Sequence, residues 1–231
     1  MNPAFASTTD GLFHKGNAAF FEGRYQEAIQ DYESLLQQGY VSAPLFYNLA
    51  NAYFRDGKSG LAILNYERAL WLNPRDADTQ ANLKFARKKV GIFENSSTWW
   101  QDLPRILSLN AWLWLTLFMW FLASFLLILK ILKWSPWSGW NLRPAILINV
   151  ILLLLCVAAS AIRMQDLRRH VVTASDVSLL VAPLENSPKL VALQEGLIVE
   201  VKKRQGTFLY VRAETGKQGW IAETQIQSIV P

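Results

Sequence analysis

Three hydrophobic patterns follow one another along the chain. Up to about residue 92 the apolar positions recur with the spacing of amphipathic helices. Ala111–Leu129 and Pro144–Ile162 are then two runs of 19 residues without a charge. At about 1.5 Å per residue each makes about 28 Å of helix, against a hydrocarbon core of about 30 Å. Helices of a soluble core carry a polar face, which these runs lack. They predict a transmembrane helical hairpin, with residues 111–132 and 144–162 as its helices and 133–143 as a short loop. After His170 the pattern changes to short alternating stretches with turn residues between them, which predicts a small all-β domain over 171–231.

The N-terminal helices repeat. Gly23, Ala28, Ile29, Tyr32 and Leu36 recur 34 residues later as Gly57, Ala62, Ile63, Tyr66 and Leu70, and Asn17-Ala18 recurs as Asn51-Ala52. The period and residue types resemble the tetratricopeptide repeat, with copies at 9–42 and 43–76 and a terminal helix at 77–90. Gly16 and Ala50, then Ala28 and Ala62, are placed where paired helices approach closest. Phe20, Tyr32, Phe54 and Tyr66 fill the space between layers. Pro74 ends the second copy, where the first has Tyr40. Two repeats and one helix leave a stacked face open, and the membrane or a partner is expected to cover it. The resemblance implies a groove for an extended peptide along the first helices, lined by Asn17, Phe21, Tyr47, Asn48, Asn51 and Arg55. Asn17 and Asn51 serve either that groove or the packing of the array. Phe13 and Asp78 stand where a clamp for a terminal carboxylate needs lysines, so that subclass is excluded. Lys84, Arg87, Lys88 and Lys89 either complement the dipole of the terminal helix or meet lipid headgroups.

In the last 60 or so residues, Gly196–Lys202 and Thr207–Arg212 read as strands about a Gln205-Gly206 turn, and Trp220-Ile-Ala begins another. Five short strands are expected. The Gly219-Trp220 pair resembles that of the bacterial SH3-type domain, where it opens the fourth strand. Residues 178–183, Ser-Leu-Leu-Val-Ala-Pro, depart from that family's usual start, and no acidic stretch for polyproline ligands is present. Tyr210 and Trp220 either stack on a sugar or peptide ligand or fill the barrel core.

Charge sharpens the middle of the chain. The net charge is +5, and the basic excess lies wholly within residues 103–170, where Leu103 to Gln165 holds no acidic residue. Such a run with Lys and Arg at its flanks fits membrane spans and excludes a nucleic-acid groove. Eight of the ten tryptophans lie between Trp99 and Trp140, several at helix ends where indoles meet headgroups. The loop side holds Lys130, Lys133 and Arg143; the other flanks hold Arg105, Arg163, Arg168 and Arg169. The loop's three cations place it in the cytoplasm and the soluble parts outside. Ala4-Phe5-Ala6 before Ser7 has the form of a signal-peptidase site without the regions that precede one. Either the match is coincidental or the natural start lies upstream.

Catalytic motifs are missing: the sequence has no Gly-x-Ser-x-Gly, nucleotide loop or HExxH. The lone Cys156 and the two histidines, His14 and His170, make neither a disulfide nor a zinc site. No enzyme activity, metal or cofactor is expected. The order of repeats, interfacial linker (93–110), hairpin and small barrel resembles the BatE family of bacterial aerotolerance operons. The stretches that carry this begin at Tyr47 (Tyr-Asn-Leu-Ala-Asn-Ala-Tyr), Ile63 (Ile-Leu-Asn-Tyr-Glu-Arg-Ala-Leu) and Pro74. The resemblance implies a two-pass protein of the bacterial inner membrane that assembles with von Willebrand A-domain membrane proteins and a MoxR-type ATPase. Two functions follow as expectations. One is an interaction scaffold whose repeats (9–92) hold a protein or peptide; the other is an envelope sensor whose barrel binds peptidoglycan.

Overall fold

The computed structural model describes residues 3–93, 103–131 and 143–231. They fall into two compact units, Met1–Asn95 together with Leu167–Pro231, and Ser96–Asp166.

The first unit opens with five helices: α1 (Pro3–Phe21), α2 (Tyr25–Gln37), α3 (Ala43–Arg55), α4 (Ser59–Leu72) and α5 (Ala77–Lys89). Four of them stop in the same way. Gly23, Gly39, Gly57 and Gly91 each sit near φ +80°, a left-handed conformation that costs other residues about 1–2 kcal/mol. In each case the glycine N–H and the next N–H turn back to the last helical carbonyls, as Gly39 N–H does to Leu36 and Tyr40 N–H to Leu35. Gly39 therefore makes the turn of the first copy, where Tyr40 replaces the proline. The helix α4 has no such glycine and ends at Leu72, with Pro74 two residues beyond.

Ala28, Ala50 and Ala62 have no exposed surface, so the helix backbones meet closely at these positions. A Cβ on Gly16 would lie 2.7 Å from the Tyr32 ring. Around these contacts Tyr32, Tyr66, Leu35, Leu45, Leu49 and Ile63 form the core.

Seven strands follow: β1 (Arg169–Val172), β2 (Val177–Leu180), β3 (Lys189–Leu193), β4 (Ile198–Gln205), β5 (Phe208–Ala213), β6 (Gln218–Ala222) and β7 (Ile226–Ser228). They form one curled antiparallel sheet in the order β3-β2-β6-β5-β4-β1-β7. The pattern predicts five strands, but β1 and β7, four and three residues long, are too short to show an alternation. Gly219-Trp220 accordingly lies in the sixth strand and not the fourth. Val177, Leu179, Val199, Leu209, Val211 and Ile221 point inward. At Gly219 a Cβ would stand 2.9 Å from that of Leu179, so glycine lets β2 cross β6 closely.

The sheet closes the end of the helical array, which corrects the expectation of a membrane or partner there. Val171, Ile198 and Ile229 share one core with Ile63, Leu64 and Ala86, and Ile92 enters the core of the sheet. The N-cap of α4, Lys58, offers no side-chain bond, and the first turn has no acid. Glu195, from the turn between β3 and β4, accepts the Gly60 N–H instead. Arg68 Nη2 donates to the Ser228 carbonyl at 3.0 Å, and Arg87 donates to Glu214 Oε2 at 2.7 Å. Arg87 is buried in this pairing, so it is withdrawn from the basic surface expected at the end of α5.

The second unit pairs α6 (Leu109–Ile131) with α7 (Arg143–Gln165). Both are long and apolar enough to cross a membrane, by length and composition. The most apolar stretch of α6 has none of its surface buried, and Phe118, Phe121, Leu154 and Leu155 all stand outward. Water would penalise that exposure. Polar groups turn toward the partner helix: Thr116 and Ser160 hydroxyls approach to 3.4 Å. At the end of α7, buried Arg163 pairs with Asp166 at 2.8 Å.

Candidate functional site

The helices α1 and α3 lie side by side, and their shared face carries a cleft of about 260 Å³ lined by Asn17, Phe20, Phe21, Tyr32, Tyr47, Asn48 and Asn51. Five of the six expected groove residues are thus brought together. The sixth, Arg55, stands apart from the lining: its Nη2 donates to the Tyr25 hydroxyl at 2.8 Å and its guanidinium lies 5.3 Å from that ring.

A hydrogen-bond lattice with the period of the repeat holds the cleft. Tyr32 donates its hydroxyl to Asn17 Oδ1 at 2.7 Å, and Asn48 Nδ2 donates to the same oxygen at 2.8 Å. One repeat later, Tyr66 donates to Asn51 Oδ1 at 2.5 Å and Asn82 Nδ2 at 3.3 Å. Asn82 also donates to the Tyr47 hydroxyl at 3.1 Å. The Oδ1 atoms of Asn17 and Asn51 therefore tie each first helix to its own second helix and to the next repeat. Asn82 escaped the sequence reading, although it follows Asn48 by the same 34 residues that separate the other pairs. Against this polar frame Phe21 is 86% exposed. A large apolar side chain left in water beside amide groups is a ready anchor point for another chain.

The tyrosines of the array are held protonated. Burial first, then the neighbouring Asp31 carboxylate, pushes the Tyr32 hydroxyl up to about 12. Burial likewise raises Tyr66, and burial with the Glu33 hydrogen bond raises Tyr53. An unfolded chain releases these protons near pH 10, whereas the folded array keeps them, so stability is full below that pH and falls as pH rises through the folded values. Alkaline titration is expected to develop tyrosinate absorbance for these residues together with loss of helical circular dichroism. Full tyrosinate absorbance near pH 10 with helicity intact would contradict the packing described.

Tyr210 and Trp220 are opposite one another on β5 and β6, with ring centroids 5.3 Å apart in an edge contact. Both are half-buried on the side of the sheet away from Leu209, Val211 and Ile221. Of the two alternatives for these aromatics, a place in the barrel core is corrected: the alternation of β5 and β6 turns them outward.

The tetratricopeptide repeat family model matches residues 9–37 and 43–76. The helical array consists of tetratricopeptide repeats. The matched stretches end before α5, which packs on the second repeat as the first helix of a third would. In place of that third repeat's second helix, the sheet covers α4. No curated protein matches the chain. Tetratricopeptide repeats imply protein partners in general, and the cleft between α1 and α3 lies on the face of their first helices.

Proposed function

We propose that the protein is a membrane-anchored interaction scaffold whose tetratricopeptide groove, lined by Asn17, Phe21, Tyr47, Asn48 and Asn51 with Arg55 at its margin, holds a segment of a partner protein. The observation that carries this reading is the exposed Phe21 ring beside a cleft whose asparagines keep their Nδ2 groups free of other described residues. Extended peptides offer both an apolar side chain and carbonyl acceptors for such a surface. A photoreactive benzoyl-phenylalanine at position 21, in native membranes, is expected to form a discrete adduct with a partner. The same group at Gln30, exposed on α2, is expected to form none. Equal adducts at both positions, or none at either, would overturn the reading.

Anchoring follows from α6 and α7 read as a two-pass hairpin of the bacterial inner membrane. Helices before the hairpin and strands after it belong to one compact unit, which supports placing both on one side of the bilayer. Lys130, Lys133 and Arg143 support a cytoplasmic loop and hence an extracytoplasmic scaffold. The curled sheet is read as a bacterial SH3-type domain, over 171–231. Its resemblance, together with the order of the parts, supports a role like that of the BatE family, beside von Willebrand A-domain membrane proteins and a MoxR-type ATPase. A second reading, an envelope sensor that binds peptidoglycan, draws on the outward Tyr210–Trp220 pair alone.

A further inference from the structure

We infer that the groove continues past Asn51 over α5, and that this second stretch receives an acidic segment of the partner carrying an apolar anchor residue. The inference rests on the groove reading above and adds the chemical class of what binds. Continuity is given by bonds across the two helices. Asn82 of α5 donates to both Tyr47 and Asn51 of α3. One turn further on, the Phe54 and Phe85 rings meet at 5.6 Å, and Lys89 Nζ stands 4.5 Å from the centre of the Phe54 ring. Phe85 is 62% exposed while Phe54 is half-buried. The result is a recessed apolar floor with a cationic rim.

The rim is one-signed. Arg55, Lys84, Lys88 and Lys89 are all exposed, and none of them has an ion pair among the described residues. The helix α3 has no acid, and α5 has only Asp78, in its first turn. Arg87, the remaining cation of this stretch, is taken by Glu214. Unneutralised cations around an aromatic floor attract carboxylates over a distance of about 10 Å in moderate salt, while the floor accepts one apolar side chain. An extended peptide reaches such a floor, which a flat bilayer surface meets only at its rim. The expected segment therefore has Asp or Glu flanking an aromatic or aliphatic residue.

Panning a random peptide display library on the full-length protein in nanodiscs of neutral lipid tests this. Selected peptides are expected to be rich in Asp and Glu around an apolar residue. Replacing both lysines with glutamine, Lys88→Gln with Lys89→Gln, is expected to weaken the best acidic peptide at least tenfold at low salt, with the difference shrinking as salt rises. Phe85→Ala is expected to weaken it as well, with unchanged helical circular dichroism. Peptides enriched without an acidic excess, or a glutamine variant within twofold of the parent, would overturn the inference and leave the groove standing. No enrichment of any peptide would overturn both. If anionic-lipid nanodiscs protect Lys88 and Lys89 from an amine-reactive reagent and saturating acidic peptide does not, the surface belongs to headgroups and the inference fails.

Discussion

Gly60→Ala is expected to destabilise the protein, although glycine to alanine inside a helix ordinarily stabilises by about 1 kcal/mol. The reversal comes from what covers α4. An added Cβ at this position would lie 2.9 Å from the Val172 carbonyl oxygen and 2.6 Å from Glu195 Cγ. The glutamate can swing aside only by giving up the Gly60 N–H, and the carbonyl belongs to β1, whose own bonds hold it. Val172 O already accepts the Gly196 N–H at 2.8 Å. Gly196 in turn abuts Ile63, with φ +83° and room for no side chain. Overpacking of this kind costs about 1–3 kcal/mol, and separation of the sheet would expose Val171, Ile198, Ile229, Ile63 and Leu64 together. Gln26 occupies the equivalent site in the first repeat, where nothing covers α2. Gln26→Ala is expected to change stability by less than about 0.5 kcal/mol. Chemical denaturation of the two variants beside the parent reads the comparison. Stabilisation by Gly60→Ala would mean that the sheet does not sit on α4.

The same comparison between copies explains what the sequence made legible. The 34-residue period disclosed the helices, their close contacts at Ala28 and Ala62, and most of the cleft, because each of those features recurs. It held the third asparagine too, since Asn82 repeats Asn48, but a search confined to two complete copies passes over it. The differences between the copies were equally informative. Gln26 and Gln30 of α2 are exposed and polar, while their counterparts on α4 are Gly60 and Leu64, both buried. A polar face that turns apolar in one copy marks a covered surface. The identity of the cover was not legible. Gly60 with Glu195 and Arg87 with Glu214 are pairs separated by 135 and 127 residues, and no local period records a contact across an intervening hairpin. The rim of the groove was hidden for a related reason. As a string, Lys84, Arg87, Lys88 and Lys89 form one basic cluster; only the fold assigns Arg87 to the sheet and Lys89 to the Phe54 ring. Tyr210 and Trp220 are ambiguous in sequence because either face of a strand tolerates an aromatic side chain until the register is fixed.

The second large effect concerns the membrane and is all-or-none. If helices and strands make one body, the chain between them must leave and return on one side, and the two apolar helices do that as a hairpin. With Cys156→Ser as background, single cysteines at Gln38 in the array, Ser138 between the apolar helices and Asn186 in the sheet report sidedness to an impermeant maleimide in intact cells. Gln38 and Asn186 are exposed, so their labelling reflects topology and not packing. Ser138 lies outside the described residues and is used only as a position in the chain. The account predicts rapid labelling at 38 and 186 and none at 138 until the cells are opened. Labelling at 138 alone would invert the orientation and place the scaffold in the cytoplasm. Opposite behaviour of 38 and 186 would contradict the account at its centre, because a sheet on the far side of the membrane cannot close the tetratricopeptide array.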